Sequence, residues 1–252
     1  MLESIALLGI RIDRVNLSLA SEQICQWAKD RYRTYVCVAP VATLVEAQRD
    51  KFYAAVVNAA GMVTPDGMPV VWLAKLKGCR DIARTYGPDL MRQVCNQSQS
   101  LNLRHFFYGG TPETLNKLQQ KLMARYPGIV VAGSYAPLFI SQGQQEQEEI
   151  IHRINESRSD ILWVGLGSPK QDFWMHLHRP LLNVPVMIGI GAAFDFLSGQ
   201  KNQAPRWIQK TGLEWFFRLC CEPKRLWKRY LVGNSLFFYY VIKEFMGLKP
   251  KI

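Results

Sequence analysis

The sequence lacks any run approaching the roughly 18–20 apolar residues that a membrane-spanning helix needs. Its N-terminus, MLESIALLGIRID, has too short an apolar run and too early a charge to read as a signal peptide. None of the six cysteines (Cys25, Cys37, Cys79, Cys95, Cys220, Cys221) forms a C-x-x-C pair, and the four histidines do not fall at zinc spacing. A structural metal is therefore not expected, and reduced core thiols in a cytoplasmic protein are. Neither G-x-G-x-x-G nor G-x-x-x-x-G-K-[ST] is present, which argues against nicotinamide chemistry and NTP hydrolysis, and no cofactor is expected. There is also no Asp-x-Asp pair to hold a metal–diphosphate. A diphosphate would have to be neutralised by arginines, lysines and backbone amides.

Acidic residues are scarce in one region. Residues 201–252 carry 3 Asp+Glu against 11 Lys+Arg, a net of +8 out of the chain's +11. A basic balance invites an acidic partner: nucleic acid, anionic lipid or a phosphorylated substrate. The same stretch holds 11 aromatic residues. Trp215, Phe216, Leu219 and Cys220 can share one helical face, and Leu226, Trp227, Tyr230 and Leu231 the next. Aromatics with Lys and Arg on amphipathic helices suit a bilayer interface and anionic head groups. A helical cap with its aromatics packed on the core is the competing reading. No RNP, zinc-finger or helix-turn-helix signature occurs, so nucleic acid is not the expected partner.

What is present is a chain of 252 residues, 48% hydrophobic, enough for one large domain or one domain with an appendage. Apolar strand-like runs recur at Ile5–Leu8, Arg11–Val15, Thr34–Val38, Met62–Thr64, Leu103–Tyr108, Ile129–Tyr135, Ile161–Gly165 and Val184–Ile190. Helical patterns lie between most of them. One is capped by Ser18 with Glu22 in its first turn, one runs from Val41 to Ala60 and stops at Gly61, and one starts at Thr111-Pro112-Glu113. The alternation predicts an α/β fold with a mostly parallel sheet covered by helices on both faces. The division expected is an α/β core over 1–200 and a basic, aromatic-rich helical appendage over 201–252.

The stretch Met62–Asp89 organises the rest. An apolar run meets the turn Pro65-Asp66-Gly67, a helical pattern follows and stops at Gly78, and Arg84 precedes a second helix start at Gly87-Pro88-Asp89. Ligands of α/β proteins bind outside the carboxyl ends of strands. A carboxylate there, Asp66, could act as general base, with Arg84 as an anion clamp. Asp-Gly is also favoured in turns for purely local reasons, so a plain turn is the alternative. Three more strand ends carry glycine-rich turns: Gly109-Gly110, then Gly165-Leu166-Gly167-Ser168 followed by Lys170 and Gln171, then Gly191 to Asp195. Such turns let backbone amides and helix N-termini approach an anion, and together they point to a phosphate-bearing ligand.

These residues together resemble the WecG/TagA/CpsF family of bacterial glycosyltransferases over nearly the whole chain. The most specific parts are Val164-Gly165-Leu166-Gly167-Ser168-Pro169-Lys170-Gln171-Asp172-Phe173-Trp174, GIGAAFDFLSG at Gly189–Gly199, Ala204-Pro205-Arg206-Trp207, Gly212-Leu213-Glu214-Trp215 and Glu222-Pro223-Lys224-Arg225-Leu226. The resemblance implies a Rossmann-like fold and an inverting, metal-independent transferase. Such an enzyme moves a sugar from a UDP-sugar to an undecaprenyl-diphosphate-linked saccharide, peripheral on the cytoplasmic face of the membrane. A non-catalytic membrane-surface or saccharide-binding protein on the same fold is the alternative, and homo-oligomerisation is left open. The resemblance places the family's base on Asp66, its phosphate-binding arginine on Arg84 and its motif glutamine on Gln171. It places the appendage's basic side chains on Arg218 and Arg225, with Lys228 or Arg229 where a further arginine is usual. One departure stands out: where the family often has Thr-x-Asn, this chain has Ala39-Pro40-Val41. That leaves the donor open between UDP-N-acetylmannosamine and UDP-glucose types. The TPDGMPVVW and RTYGPDLM runs look more like the branch with exopolysaccharide glucosyltransferases.

Overall fold

The computed structural model describes residues 2–137 and 144–247. The chain opens with β1 (Ser4–Leu7), β2 (Ile10–Asp13), α1 (Leu17–Lys29), β3 (Thr34–Ala39), α2 (Val41–Ala47), α3 (Lys51–Asn58), β4 (Met62–Pro65) and α4 (Met68–Leu76). It continues with α5 (Gly87–Ser98), β5 (Arg104–Gly109), α6 (Pro112–Arg125), β6 (Val130–Tyr135), α7 (Gln144–Glu156), β7 (Ile161–Gly165), α8 (Lys170–His178) and β8 (Val186–Gly189). Then come α9 (Ala193–Ser198), α10 (Arg206–Lys210), α11 (Glu214–Cys221), α12 (Pro223–Trp227) and α13 (Gly233–Phe245). All eight apolar runs form strands, with ends shifted by a residue or two.

The fold is α/β and Rossmann-like, with a six-stranded main sheet and a helical C-terminal region. The chain divides into two compact units: Met1–Asn16, Ala39–Tyr86 and Gln203–Ile252 in one, Leu17–Val38 and Gly87–Asn202 in the other, over the described residues of each. In the second unit five strands of the main sheet run in the order β3–β8–β7–β5–β6. Their pairings are parallel, with His105 opposite Ile161 and Ile161 opposite Val186. The inner strands are buried on both faces, so their sequences read as continuous apolar runs rather than alternating ones. At its centre the neutral His105 ring accepts from Trp163 Nε1 (2.9 Å) and lies 2.8 Å from Ser98 Oγ. Burial drives its pKa down to about 3.

In the first unit β1 and β2 form an antiparallel hairpin, and β2 packs beside β4. The C-terminal helix α13 lies on α2. Glu244 near its end accepts from Leu8 N (3.2 Å) and pairs with Lys77 (2.8 Å), while Leu226 and Phe237 are buried. Between α12 and α13 the helical path passes through a π-turn at Lys228–Val232.

Three local expectations are corrected. The helix expected over Val41–Ala60 is two helices, because Asp50 turns extended (φ −129°) and caps a new start by accepting from Phe52 N and Tyr53 N. An aspartate mid-segment competes with the helix for backbone donors, and here it wins. Ser18 is not the cap of α1 but lies inside its first turn, donating to Glu22 at 2.7 Å. The cysteines are not all core thiols: Cys25, Cys37, Cys79 and Cys95 are buried, but Cys220 and Cys221 are exposed.

Candidate active site

Asp66 stands at the elbow between β4 and α4. Below it, the buried Asp13 carboxylate accepts from Val63 N at 2.6 Å, fixing β4 from its neighbour β2. Asp66 N donates to Ala39 O (3.1 Å), carrying the strand's hydrogen bonding one residue past Pro65. Gly67 then takes φ +86°, a conformation open to glycine, and α4 begins with Pro69 in its first turn.

Two backbone bonds hold the Arg84 segment alongside: Ala83 N donates to Val15 O (3.1 Å) and Thr85 N to Pro65 O (2.8 Å). Arg84 thereby reaches Asp66, with its Nε 3.6 Å from Asp66 Oδ1. One terminal nitrogen of Arg84 donates to Glu214 Oε2, at the start of α11. The guanidinium carbon lies 4.1 Å from the centroid of the Tyr86 ring, a cation–π contact. The three charged side chains are largely but not fully enclosed, 14% exposed for Arg84, 20% for Asp66 and 12% for Glu214.

Burial pushes the Asp66 carboxyl up to about 6; Arg84 and Arg218 oppose the rise, and the Glu214 charge adds to it. The Tyr86 phenol is raised by burial and by the same two carboxylates. Such a carboxylate is ionised at neutral pH yet basic enough to take a proton from a hydroxyl as that hydroxyl attacks. Arg84 stays cationic, and a cation beside a base is where charge on a departing phosphate can be met.

The basic residues expected from the C-terminal region divide. Arg218 and Arg229 both sit in the field of Asp66. The Arg229 head group is desolvated, which lowers its pKa, although the residue as a whole is exposed. Lys228 instead lies over the Trp227 ring at 5.5 Å, so of these two it is Arg229 that the structure couples to Asp66. Arg225 is exposed and paired with Glu222 at 2.5 Å.

The glycine turns belong to the second unit. Gln171 is buried, and its side-chain oxygen accepts from both Gly167 N (3.1 Å) and Gly191 N (2.9 Å), while its nitrogen donates to Ser168 Oγ (3.2 Å). Those two amides, expected to face a phosphate, are thus turned to Gln171. Gly109 and Gly165 stand opposite each other on β5 and β7, so close that a Cβ on Gly109 would lie 2.7 Å from the Gly165 backbone. Gly110 precedes α6, whose N-terminus is capped by Thr111 accepting from Thr114 N (3.1 Å). Lys170 is exposed at the start of α8, and Asp195 pairs with Lys201 at 3.0 Å. Replacing Gln171 with Ala leaves two amides without their acceptor and is expected to cost about 2–4 kcal/mol, read by urea denaturation. Gln171→Glu, which keeps an acceptor, is expected to cost less.

Glu214 and Tyr86 were not foreseen as site residues. The signal for Glu214 is its place in the Gly212-Leu213-Glu214-Trp215 run, one of three acids in a strongly basic stretch, with nothing in that run to assign it a role. Tyr86 gave none, since a tyrosine before a helix start is ordinary core material. Among the described residues no three His, Cys, Asp or Glu side chains gather as a metal cluster.

A carboxylate and an arginine at the carboxyl end of a strand in an α/β fold stand where such folds bind ligands. Residues 5–251 match the model of the Glycosyl transferase WecG/TagA/CpsF family, and the chain belongs to that family: it is a glycosyltransferase. Curated relatives include a Bacillus spizizenii protein, 33% identical over 74% of this chain and 70% of its own length. A Bacillus subtilis protein is 32% identical over 73% and 70%, and a Staphylococcus aureus protein 25% identical over 96% and 94%. All three are described as N-acetylglucosaminyldiphosphoundecaprenol N-acetyl-beta-D-mannosaminyltransferases.

Proposed function

We propose that this chain transfers a sugar from a UDP-sugar to an undecaprenyl-diphosphate-linked saccharide, with inversion, using Asp66 as general base. The observation that carries the reading is the Asp66 carboxyl, raised to about 6 at the end of β4 with Arg84 Nε 3.6 Å away. The acceptor hydroxyl attacks the anomeric carbon opposite the departing UDP. Its proton passes to Asp66, the bond from carbon to phosphate oxygen breaks, and the diphosphate keeps the electron pair. A single displacement inverts the anomeric centre. Arg84, Arg218 and Arg229 meet the charge on the leaving group in place of a metal. The relatives' names support a lipid-diphosphate-linked acceptor bearing N-acetylglucosamine, and an N-acetylmannosamine donor. Ala39-Pro40-Val41 keeps a glucose-type donor in play, because it offers no side-chain hydrogen bond to a sugar. A panel of UDP-sugars with a short-chain lipid-diphosphate acceptor decides: transfer from one donor is expected, lost in Asp66→Asn. UDP release without glycosylated lipid would count against the reading.

The same reading places the enzyme on the inner face of the cell membrane through residues 201–252. No described helix is long and apolar enough to cross a membrane. Trp207, Phe216, Trp227, Phe238, Tyr239 and Ile242 are exposed, and so are Lys210, Lys224 and Lys228. Phe238 and Ile242 lie one turn apart on α13, 62% and 58% exposed, so both can be changed without opening the core. Phe238→Ser with Ile242→Ser is expected to weaken flotation with phosphatidylglycerol vesicles about tenfold or more, since each side chain buried in the bilayer is worth about 1.5–3 kcal/mol. Unchanged flotation would remove α13 as the contact.

A further inference from the structure

We propose that Glu214 is a positioning residue: by gripping one terminal nitrogen of Arg84, it keeps that guanidinium from closing on Asp66 and so leaves Asp66 able to take a proton. The inference builds on the reading of Asp66 as base. Arg84 is one cation between two carboxylates. A planar guanidinium and a carboxylate left to themselves pair through two parallel N–H bonds at about 2.7–2.9 Å. Here the approach to Asp66 is through Nε at 3.6 Å, beyond hydrogen-bond reach, while a terminal nitrogen is committed to Glu214. The two ends of this grip are anchored independently. Arg84 is fixed through Thr85 N to Pro65 O, and Glu214 opens α11 just after Gly212, which packs directly against Trp72 of α4.

Arg84, Arg218, Arg229, Tyr86, Tyr230 and Glu214 all share the field of Asp66. The arginines favour its charged form, and Glu214 is the carboxylate that opposes it. Losing Glu214 therefore acts twice in one direction. A like charge disappears, and Arg84 becomes free to form the full pair with Asp66. Both make Asp66 a weaker base. A tie that merely fastened α11 to the core would lower stability on removal and, beyond the loss of one like charge, leave Asp66 ionisation where it was.

The test is a carboxyl-carbon NMR titration of the full-length protein with labelled aspartate, the Asp66 signal assigned by its loss in Asp66→Asn. Glu214→Ala is expected to lower the Asp66 midpoint by about one pH unit. Glu214→Gln, which keeps an acceptor for Arg84 but not the charge, is expected to lower it by part of that, and decides alone if the alanine variant does not fold. The acid limb of kcat/KM should move the same way. A midpoint unmoved or raised in the folded variants overturns the proposal. If the midpoint falls while the acid limb survives in Asp66→Asn, the base assignment fails and the role of Glu214 on Asp66 stands.

Discussion

Asp66→Asn is expected to cut sugar transfer by about 10²–10⁴-fold, the usual worth of a general base, and at the same time to make the folded protein more stable. The second half follows from linkage. The Asp66 carboxyl titrates near 3.8 when unfolded and is raised to about 6 in the fold, so the folded state holds its proton more tightly. Ionising it in place therefore costs stability: nothing below the unfolded value, an increasing amount through the window from 3.8 to about 6, and a constant amount above. A shift of roughly two units corresponds to about 3 kcal/mol. Because the side chain keeps contact with solvent, a gain of about 1–3 kcal/mol is expected for the uncharged amide at neutral pH. Urea denaturation at neutral pH and again near pH 4 checks this, since the advantage should shrink in acid. An Asn variant less stable than the parent at neutral pH would mean that the carboxylate is better satisfied than its surroundings indicate. Stability lost to keep a strong base ionised in a crevice is a common trade at active sites.

Arg84→Ala is expected to lower kcat about 10²–10³-fold, the scale for removing one preorganised charge from a developing anion. It also moves the acid limb of the rate profile to higher pH, because Arg84 is the foremost influence holding the Asp66 pKa down. The direction is opposite to that expected for Glu214→Ala, so the two variants together separate the charge of Arg84 from its placement. Arg84→Lys restores a point charge but not the planar fork that serves Glu214 and Asp66 together, and should recover only part of the rate. A pH–rate profile for each variant with a single active donor reads both effects. If Arg84→Ala leaves kcat within a few-fold of the parent, the leaving diphosphate is stabilised elsewhere.

The strands were legible because buried parallel strands leave uninterrupted apolar runs, and Ile161–Gly165 is such a run in sequence and structure alike. The turn at Asp66-Gly67 was legible for a similar reason: it joins an apolar run to a helical pattern. What lay beyond local pattern was not legible. Asp50 looked like one more polar residue on a helix, and only its hydrogen bonds to Phe52 N and Tyr53 N reveal a break. The amides of Gly167 and Gly191 looked available to a ligand because nothing in the order of residues shows Gln171 reaching both. Glu214 is 130 residues from Arg84 along the chain, and a contact that distant leaves no periodic trace. The choice between Lys228 and Arg229 likewise depended on a helical path that includes a π-turn, which the spacing of apolar residues does not announce.

The uneven placement of the thiols gives the protein a built-in spectroscopic handle. Cys25, Cys37, Cys79 and Cys95 are enclosed, and burial pushes the Cys25 thiol up to about 11, far from the reactive thiolate. Cys220 and Cys221 lie open on α11, nearly two helical turns beyond Glu214, with Cys220 one turn from the exposed Phe216. A maleimide nitroxide or fluorophore added to the unaltered chain should therefore settle on this one helix. Its quenching by oxygen or by lipid-borne probes would then report how deeply α11 enters a bilayer, without a single engineered residue.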